Sequence, residues 1–139
     1  MRVLGMDVGD KTIGLAVSDP LGLTAQGIMT LRRINIQKDI ENIKEIVAKY
    51  NVGLIVIGMP KNMNNTIGER ARSVISFAEK LKDGLGIECE FYDERLTTLE
   101  AEKLLVSSDV SRKKRKKVID KMAAVLILQS YLDNRKKRY

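Results

Sequence analysis

Apolar and polar positions along this 139-residue chain change period several times, and each change marks an element. Val3 to Val8 and Thr12 to Ser18 are rich in aliphatic and β-branched residues and flank a polar loop, Gly9-Asp10-Lys11, which predicts a β-hairpin. A third strand is predicted over Ala25 to Arg33. Ile36, Ile40, Ile43, Ile46 and Val47 then recur at helical spacing, predicting a helix from about Gln37 to Lys49. The continuous run Leu54-Ile55-Val56-Ile57, ahead of Gly58 and Pro60, reads as a buried central strand.

In the second half, Thr66 and Glu69 form a capping box ahead of Ile67, Ala71, Val74, Phe77, Ala78 and Leu81, a helix to about Lys82 ended by Gly84 and Gly86. Ile87 to Tyr92 is a further strand. Thr97 and Glu100 make a second capping box, opening a helix to about Val106. A last helix runs from Arg112 or Lys117 to Asp133. The order is β-β-β-α-β-α-β-α-α. Hairpin-joined strands are antiparallel, and strands reached through helical crossovers are parallel. The expected fold is therefore α/β: a five-stranded mixed sheet, three antiparallel strands plus two parallel, with helices on both faces. One domain is expected over residues 1–133, followed by a basic tail, 134–139.

Composition narrows the chemistry. The chain is 44% hydrophobic and 31% charged, with no apolar run near the ~20 residues that span a bilayer, so a soluble globular protein is expected, and a single cysteine suits a reducing cytoplasm. The single cysteine, Cys89, excludes an internal disulfide framework and alternates with Ile87 and Phe91 as a core thiol would. There is no histidine, which removes Ser-His and Cys-His nucleophile pairs and most zinc sites. The net charge of +7 is lopsided: residues 112–139 hold eleven basic and two acidic residues, and the rest fourteen basic and sixteen acidic. A basic end on a near-neutral body points to a polyanion, nucleic acid before membrane, unless the charge serves only solubility.

Three carboxylates stand out. Val3, Gly5 and Asp7 share one face of the first strand. If the hairpin loop has four residues, Asp7 lies opposite Gly14 and Gly5 opposite Ala16, so a carboxylate sits among very small side chains that let another backbone approach. An aspartate buried in a strand is costly unless it is paired or binds a cation. The last helix, with Ala123, Ala124, Ile127 and Tyr131 following Asp120 at helical spacing, would cover that face. Glu94, after the strand ending at Tyr92, completes the set. Each has a plainer alternative: a turn hydrogen bond for Asp7, an ion pair with Lys116 or Lys117 for Asp120, and one with Arg95 for Glu94. Gathered together, three carboxylates repel one another unless cations lie between them, and an all-oxygen donor set suits Mg²⁺ or Mn²⁺. Two such ions roughly 4 Å apart activate water and stabilise a leaving oxygen on phosphorus.

The segments LGMDVGDKTIGLAVSD, VIGMPKNMN with RARSVISFAEKL, YDERLTTLEAE and VIDKMAAVLILQSYLD, in this order, resemble the YqgF/RuvX family of bacterial proteins. The resemblance spans nearly the whole chain. It implies a ribonuclease-H-like fold related to Holliday-junction resolvases and a nuclease acting in 5′-end maturation of the 16S ribosomal RNA precursor. It also implies catalytic, metal-holding roles for Asp7, Glu94 and Asp120. On this reading Asp7 bridges two ions, Glu94 and Asp120 each hold one, Lys11 and Arg95 steady the scissile phosphate, and Lys113, Lys114, Lys116 and Lys117 track the backbone. RNA is the favoured partner, with branched DNA possible, and the protein is a monomer or weak dimer. Two positions depart from the family pattern: Asn64-Asn65 replaces a common Asp-Gly, and Lys11 replaces a common arginine, losing bidentate contact.

Two other readings compete. Asp7, Gly9, Gly14 and Asp19 match the phosphate-binding hairpin of actin-like ATPases, but those enclose ATP between two domains and this chain has length for one. The other is a non-catalytic RNA-binding protein of ribosome assembly, in which only the basic segment matters.

Overall fold

The computed structural model describes residues 1–60, 68–93 and 112–136, with the side chains of the last helix described over 122–135. β1 (Arg2–Val8) pairs antiparallel with β2 (Thr12–Ser18), and β2 pairs antiparallel with β3 (Ala25–Arg32). α1 (Ile36–Tyr50) crosses to β4 (Val52–Met59), parallel to β1, and α2 (Glu69–Leu85) crosses to β5 (Glu88–Asp93), parallel to β4. α3 (Arg112–Lys136) follows. The sheet order is β3-β2-β1-β4-β5, so β1 and β4 are central. This is the predicted mixed sheet.

Strand alternation divides the residues between two faces. Leu4, Met6 and Val8 of β1, Ile13, Leu15 and Val17 of β2, and Ile55 and Ile57 of β4 form one face. They pack against Ile43 of α1 and Val74, Phe77, Ala78 and Leu81 of α2. On the other face Val3, Ala16 and Val56 pack against Ala124, Ile127, Leu128 and Leu132 of α3. The β1–β4 register slips between Arg2 and Val3, where Gly53 has no partner strand residue, so Val52 joins the first face while Val56 joins the second.

Several boundaries differ from the sequence pattern for local reasons. α1 begins one residue early because Asn35 caps it, its side chain accepting from the Lys38 N–H at 2.8 Å, and it ends at Asn51 in the left-handed region (φ 53°). Thr66 of the expected capping box lies outside the described residues; α2 has Gly68 as its N-cap, without a side-chain bond, and Glu69 as its first helical residue rather than its third. Gly84 lies inside α2, and Gly86 (φ 65°) closes it through its N–H to the Lys82 carbonyl. α3 runs on to Lys136, three residues past Asp133. The helix expected behind Thr97 lies outside the described residues. Cys89 is half-buried, packed at the margin of the first core, because β5 is an edge strand whose Phe91 stays 43% exposed. Burial pushes its thiol pKa up, as expected of a packed thiol and not of a nucleophile.

Candidate functional site

Asp7 lies near the C-terminal end of β1 with only 9% of its surface exposed, and it has an interaction partner within the chain. Its register is the one the small-residue pattern predicts: Asp7 faces Gly14 and Gly5 faces Ala16. α3 uses that small face. A Cβ added to Gly5 would stand 2.6 Å from Leu128 Cβ and 3.0 Å from the Ala124 carbonyl oxygen, so the helix backbone is seated against the strand at the one position that carries no side chain.

The direction of α3 over the sheet follows from its polar anchors. The Gln129 amide accepts from the Ala25 N–H (2.9 Å) and donates to the Leu23 carbonyl (3.0 Å), and Ala25 is paired with Ser18 at the end of β2 remote from Asp7. Ser18 at that end accepts from the Val3 N–H at 2.9 Å, so Gln129 sits at the Val3 end of β1. From Gln129 back to Ala124 the helix therefore travels from the Val3 end of β1 to Gly5, toward Asp7. One more turn in the same direction reaches the backbone of Asp120. That turn rises about 6 Å, close to the two-residue step of a strand that separates Gly5 from Asp7.

β5 supplies a second contact for α3. The Tyr92 hydroxyl lies 2.5 Å from Ser130 Oγ, and Asn134 Nδ2 donates to it as well. The Tyr131 hydroxyl donates to Glu90 at 2.7 Å, and the two tyrosine rings meet edge-on at 6.3 Å. Burial, and then the bond to Glu90 and its charge, push the Tyr131 phenol up to about 12. The register Met6–Ile57–Phe91 across β1, β4 and β5 sets Tyr92 level with Asp7, two strands away and on the same face.

The β1–β2 turn, Gly9-Asp10-Lys11, begins two residues after Asp7. It closes with the Gly9 N–H on the Thr12 carbonyl at 2.8 Å, and Lys11 is exposed at its tip. The turn is also held from outside. The Arg33 N–H donates to the Lys11 carbonyl (2.9 Å), and the Arg33 guanidinium donates to the Gly9 carbonyl (2.8 Å) and to the carboxylate of Asp39 (3.2 Å). Asp39 is 1% exposed and accepts from the Ile34 N–H as well.

Of the predicted site residues, the structure describes Asp7 and Lys11 fully. It gives Lys113, Lys114, Lys116, Lys117 and Asp120 a backbone position in α3. Glu94 and Arg95 lie outside the described residues, as does Asn64-Asn65. Asp19, fourth member of the ATPase-like spacing, has its carboxylate committed to the β2–β3 turn. It accepts from the N–H groups of Leu23 (2.7 Å) and Thr24 (2.9 Å), and the bond from Thr24 foremost lowers its pKa. A pocket of about 290 Å³ lined by Met1, Arg2, Pro20, Lys49, Tyr50 and Asn51 lies at the opposite pole of β1 from Asp7. None of the described helices is long and apolar enough to cross a membrane.

Sequence reasoning missed the Arg33–Asp39 pair. Its signal was available: Asp39 sits on the apolar stripe of α1, four residues before Ile43, where a carboxylate is out of place without a partner.

A family model described as "RuvX: Holliday junction resolvase" matches residues 1–134. A relative from Desulforamulus reducens, described as "Putative pre-16S rRNA nuclease", is 55% identical over 96% of this chain and 98% of its own length. One from Clostridioides difficile with the same description is 58% identical over 95% of this chain and 94% of its own. Among solved structures, Thermus thermophilus RuvC in complex with a Holliday junction superposes with a TM-score of 0.62 at 14% identity, covering 98% of this chain and 96% of that one. The fowlpox virus Holliday junction resolvase gives 0.56 at 13% identity, covering 96% and 99%. These two likenesses establish the resolvase-type, ribonuclease-H-like fold.

Proposed function

This chain belongs to the RuvX family, and from that membership we propose that it is a divalent-metal-dependent nuclease acting on phosphodiester bonds. We take its substrate to be the 5′ region of the 16S ribosomal RNA precursor, in the cytoplasm, in line with the description carried by relatives more than half identical to it. The observation that carries the reading is Asp7: a carboxylate sunk into a strand face of glycine and alanine, with α3 laid against that face and pointing its N-terminal half the same way.

Asp7, Glu94 and Asp120 would hold Mg²⁺ or Mn²⁺. The donor chemistry fits, because carboxylates are hard oxygen ligands and the chain has no histidine to favour a softer ion. Bound there, the ions would supply a water activated for attack and charge stabilisation on the leaving oxygen. The chain's own part is to place and grip. Tyr92, two residues before Glu94 in the chain, lies on the α3 face of β5. Asp120 shares the helical stripe of Ala124, Ile127 and Tyr131, and the first two of these are buried against the sheet. Lys11 would contact the phosphate beside the scissile bond with Arg95, and Lys113, Lys114, Lys116 and Lys117 would carry the flanking backbone by charge alone.

The test compares end-labelled precursor RNA, unstructured single-stranded RNA and a four-way DNA junction, each with Mg²⁺ or Mn²⁺. We expect cleavage of the precursor, lost on Asp7→Asn with binding retained. Wild-type protein that binds these nucleic acids and cuts none of them with either ion would overturn the nuclease reading in favour of an RNA-binding role in ribosome assembly.

A further inference from the structure

We propose that Arg33 and Asp39 are positioning residues that hold the tip of the β1–β2 turn, and with it Lys11, in place to receive a substrate phosphate. The inference rests on the nuclease reading of the Asp7 corner, and extends it to two residues outside the predicted site.

The turn itself requires little help. Four residues, Gly9 to Thr12, follow the last strand pair Val8–Ile13 and are closed by the Gly9 N–H on the Thr12 carbonyl, an ordinary hairpin connection. Arg33 nevertheless engages it twice, by backbone to the Lys11 carbonyl and by guanidinium to the Gly9 carbonyl. The guanidinium is fixed on two further sides: its Nε meets Asp39, and the Phe77 ring of α2 lies 5.0 Å from its centre. Asp39 is in turn fixed by the Ile34 N–H and by its place in the first turn of α1. One side chain thus ties β3, α1 and α2 to the loop that starts two residues after Asp7.

A nearly buried ion pair is a poor way to gain stability, because desolvating two charges offsets most of their attraction. It is a good way to set an orientation. A planar guanidinium with three directed contacts leaves its carbonyl partner almost no freedom. Lys11 is the exposed cation on that carbonyl's loop, and its long side chain can reach a phosphate reproducibly only if its backbone does not move. Arg33 and Asp39 act on substrate through Lys11, without touching it.

A double-mutant cycle separates this role from mere support of the fold. Lys11→Ala, Arg33→Lys and the double variant are compared for affinity to single-stranded RNA in EDTA across a salt series, for cleavage with Mn²⁺, and for thermal unfolding. Lysine at 33 keeps the charge but lacks the planar fork whose Nε and Nη1 reach Asp39 and Gly9. We expect Lys11→Ala to weaken binding about 5-fold in the wild-type background and less than about 2-fold in the Arg33→Lys background. The salt slope should fall by about one in the first case and hardly at all in the second. Asp39→Asn, which keeps an acceptor for the Ile34 N–H, should erase the Lys11 effect in the same way and serves if Arg33→Lys does not fold. An equal Lys11→Ala effect in all backgrounds, or none in the wild type, overturns the proposal. The two readings fail separately. Coupling without cleavage by any of these proteins sinks the nuclease reading and keeps the clamp, and Asp7-dependent cleavage without coupling does the reverse.

Discussion

The two faces of the sheet are built from different materials. Beneath α1 and α2 the strands present Leu4, Met6, Ile13, Leu15, Ile55 and Ile57, all fully buried, and the helices answer with Ile43, Phe77 and Leu81. Beneath α3 the same strands present Gly5, Gly14, Ala16 and Asp7 alongside Val3 and Val56, and a smaller apolar contact with Ile127, Leu128 and Leu132 is joined by polar pairs: Gln129 on the start of β3, Tyr92 on Ser130 and Asn134, Tyr131 on Glu90. Burial of large aliphatic groups is where stabilisation by area comes from, at about 25 cal/mol per Å². Small residues forgo much of that gain and obtain closeness instead. The difference teaches that the first face carries the larger apolar core, while the second holds a single helix close to the strands beside a buried carboxylate.

Substitutions on the two faces should therefore fail in different ways. Asp7→Asn should bring the largest effect: cleavage down by at least about 10³-fold, several kcal/mol of lost transition-state stabilisation, with the melting temperature nearly kept. A variant that cuts as fast as wild type would break the assignment of the chemistry to this face. Leu15→Ala, on the opposite face, should cost about 2–5 kcal/mol in denaturant unfolding, yet leave turnover per folded molecule unchanged. Gly5→Ala should cost less stability, about 1–3 kcal/mol, but should slow cleavage, because the new methyl meets Leu128 Cβ and the Ala124 carbonyl and must push α3 away from the strand that carries Asp7. If Leu15→Ala slowed turnover more than Gly5→Ala did, the division of labour between the faces would be wrong.

The sequence revealed this division unevenly, for a physical reason. Periodicity and residue size are local properties, so the five strands, the antiparallel register that sets Asp7 against Gly14, and the closeness of the last helix to Gly5 could all be read from short stretches. Contacts between polar groups have no period. Gln129 meets Ala25 across 104 residues and Tyr92 meets Ser130 across 38, and nothing in either neighbourhood announces the partner. Arg33 and Asp39 are only six residues apart, but in a pattern search an aspartate at the start of a helix passes as a favourable end charge. The start of α2 was misplaced for the opposite reason: a good local motif put the cap at Thr66, and the helix opens two residues later, with Gly68 as its N-cap.

The smallest of the expected effects tests how α3 is held over the second face. Tyr131 donates to Glu90 and keeps its proton up to about pH 12, against an ordinary tyrosine value of 10.0, because burial and the neighbouring carboxylate both disfavour the phenolate. Arg135, stacked 5.8 Å from the ring centre, opposes them and does not win. The sign is that of a raised folded-state pKa. The contribution to stability is complete below pH 10 and is lost as pH rises from there toward about 12, since the unfolded chain surrenders the proton first. Phenolate absorbance should therefore carry a late-titrating component from Tyr131, and Tyr131→Phe should remove it. The variant should lose about 1 kcal/mol at neutral pH, the net worth of one hydrogen bond, and should unfold less steeply than wild type between pH 10 and 12. A late component that survives in Tyr131→Phe would assign it to another tyrosine and leave the Glu90 contact without a role in seating the helix. Its disappearance, together with a small fall in cleavage rate, would tie the depth of α3 at β5 to the chemistry two strands away at Asp7.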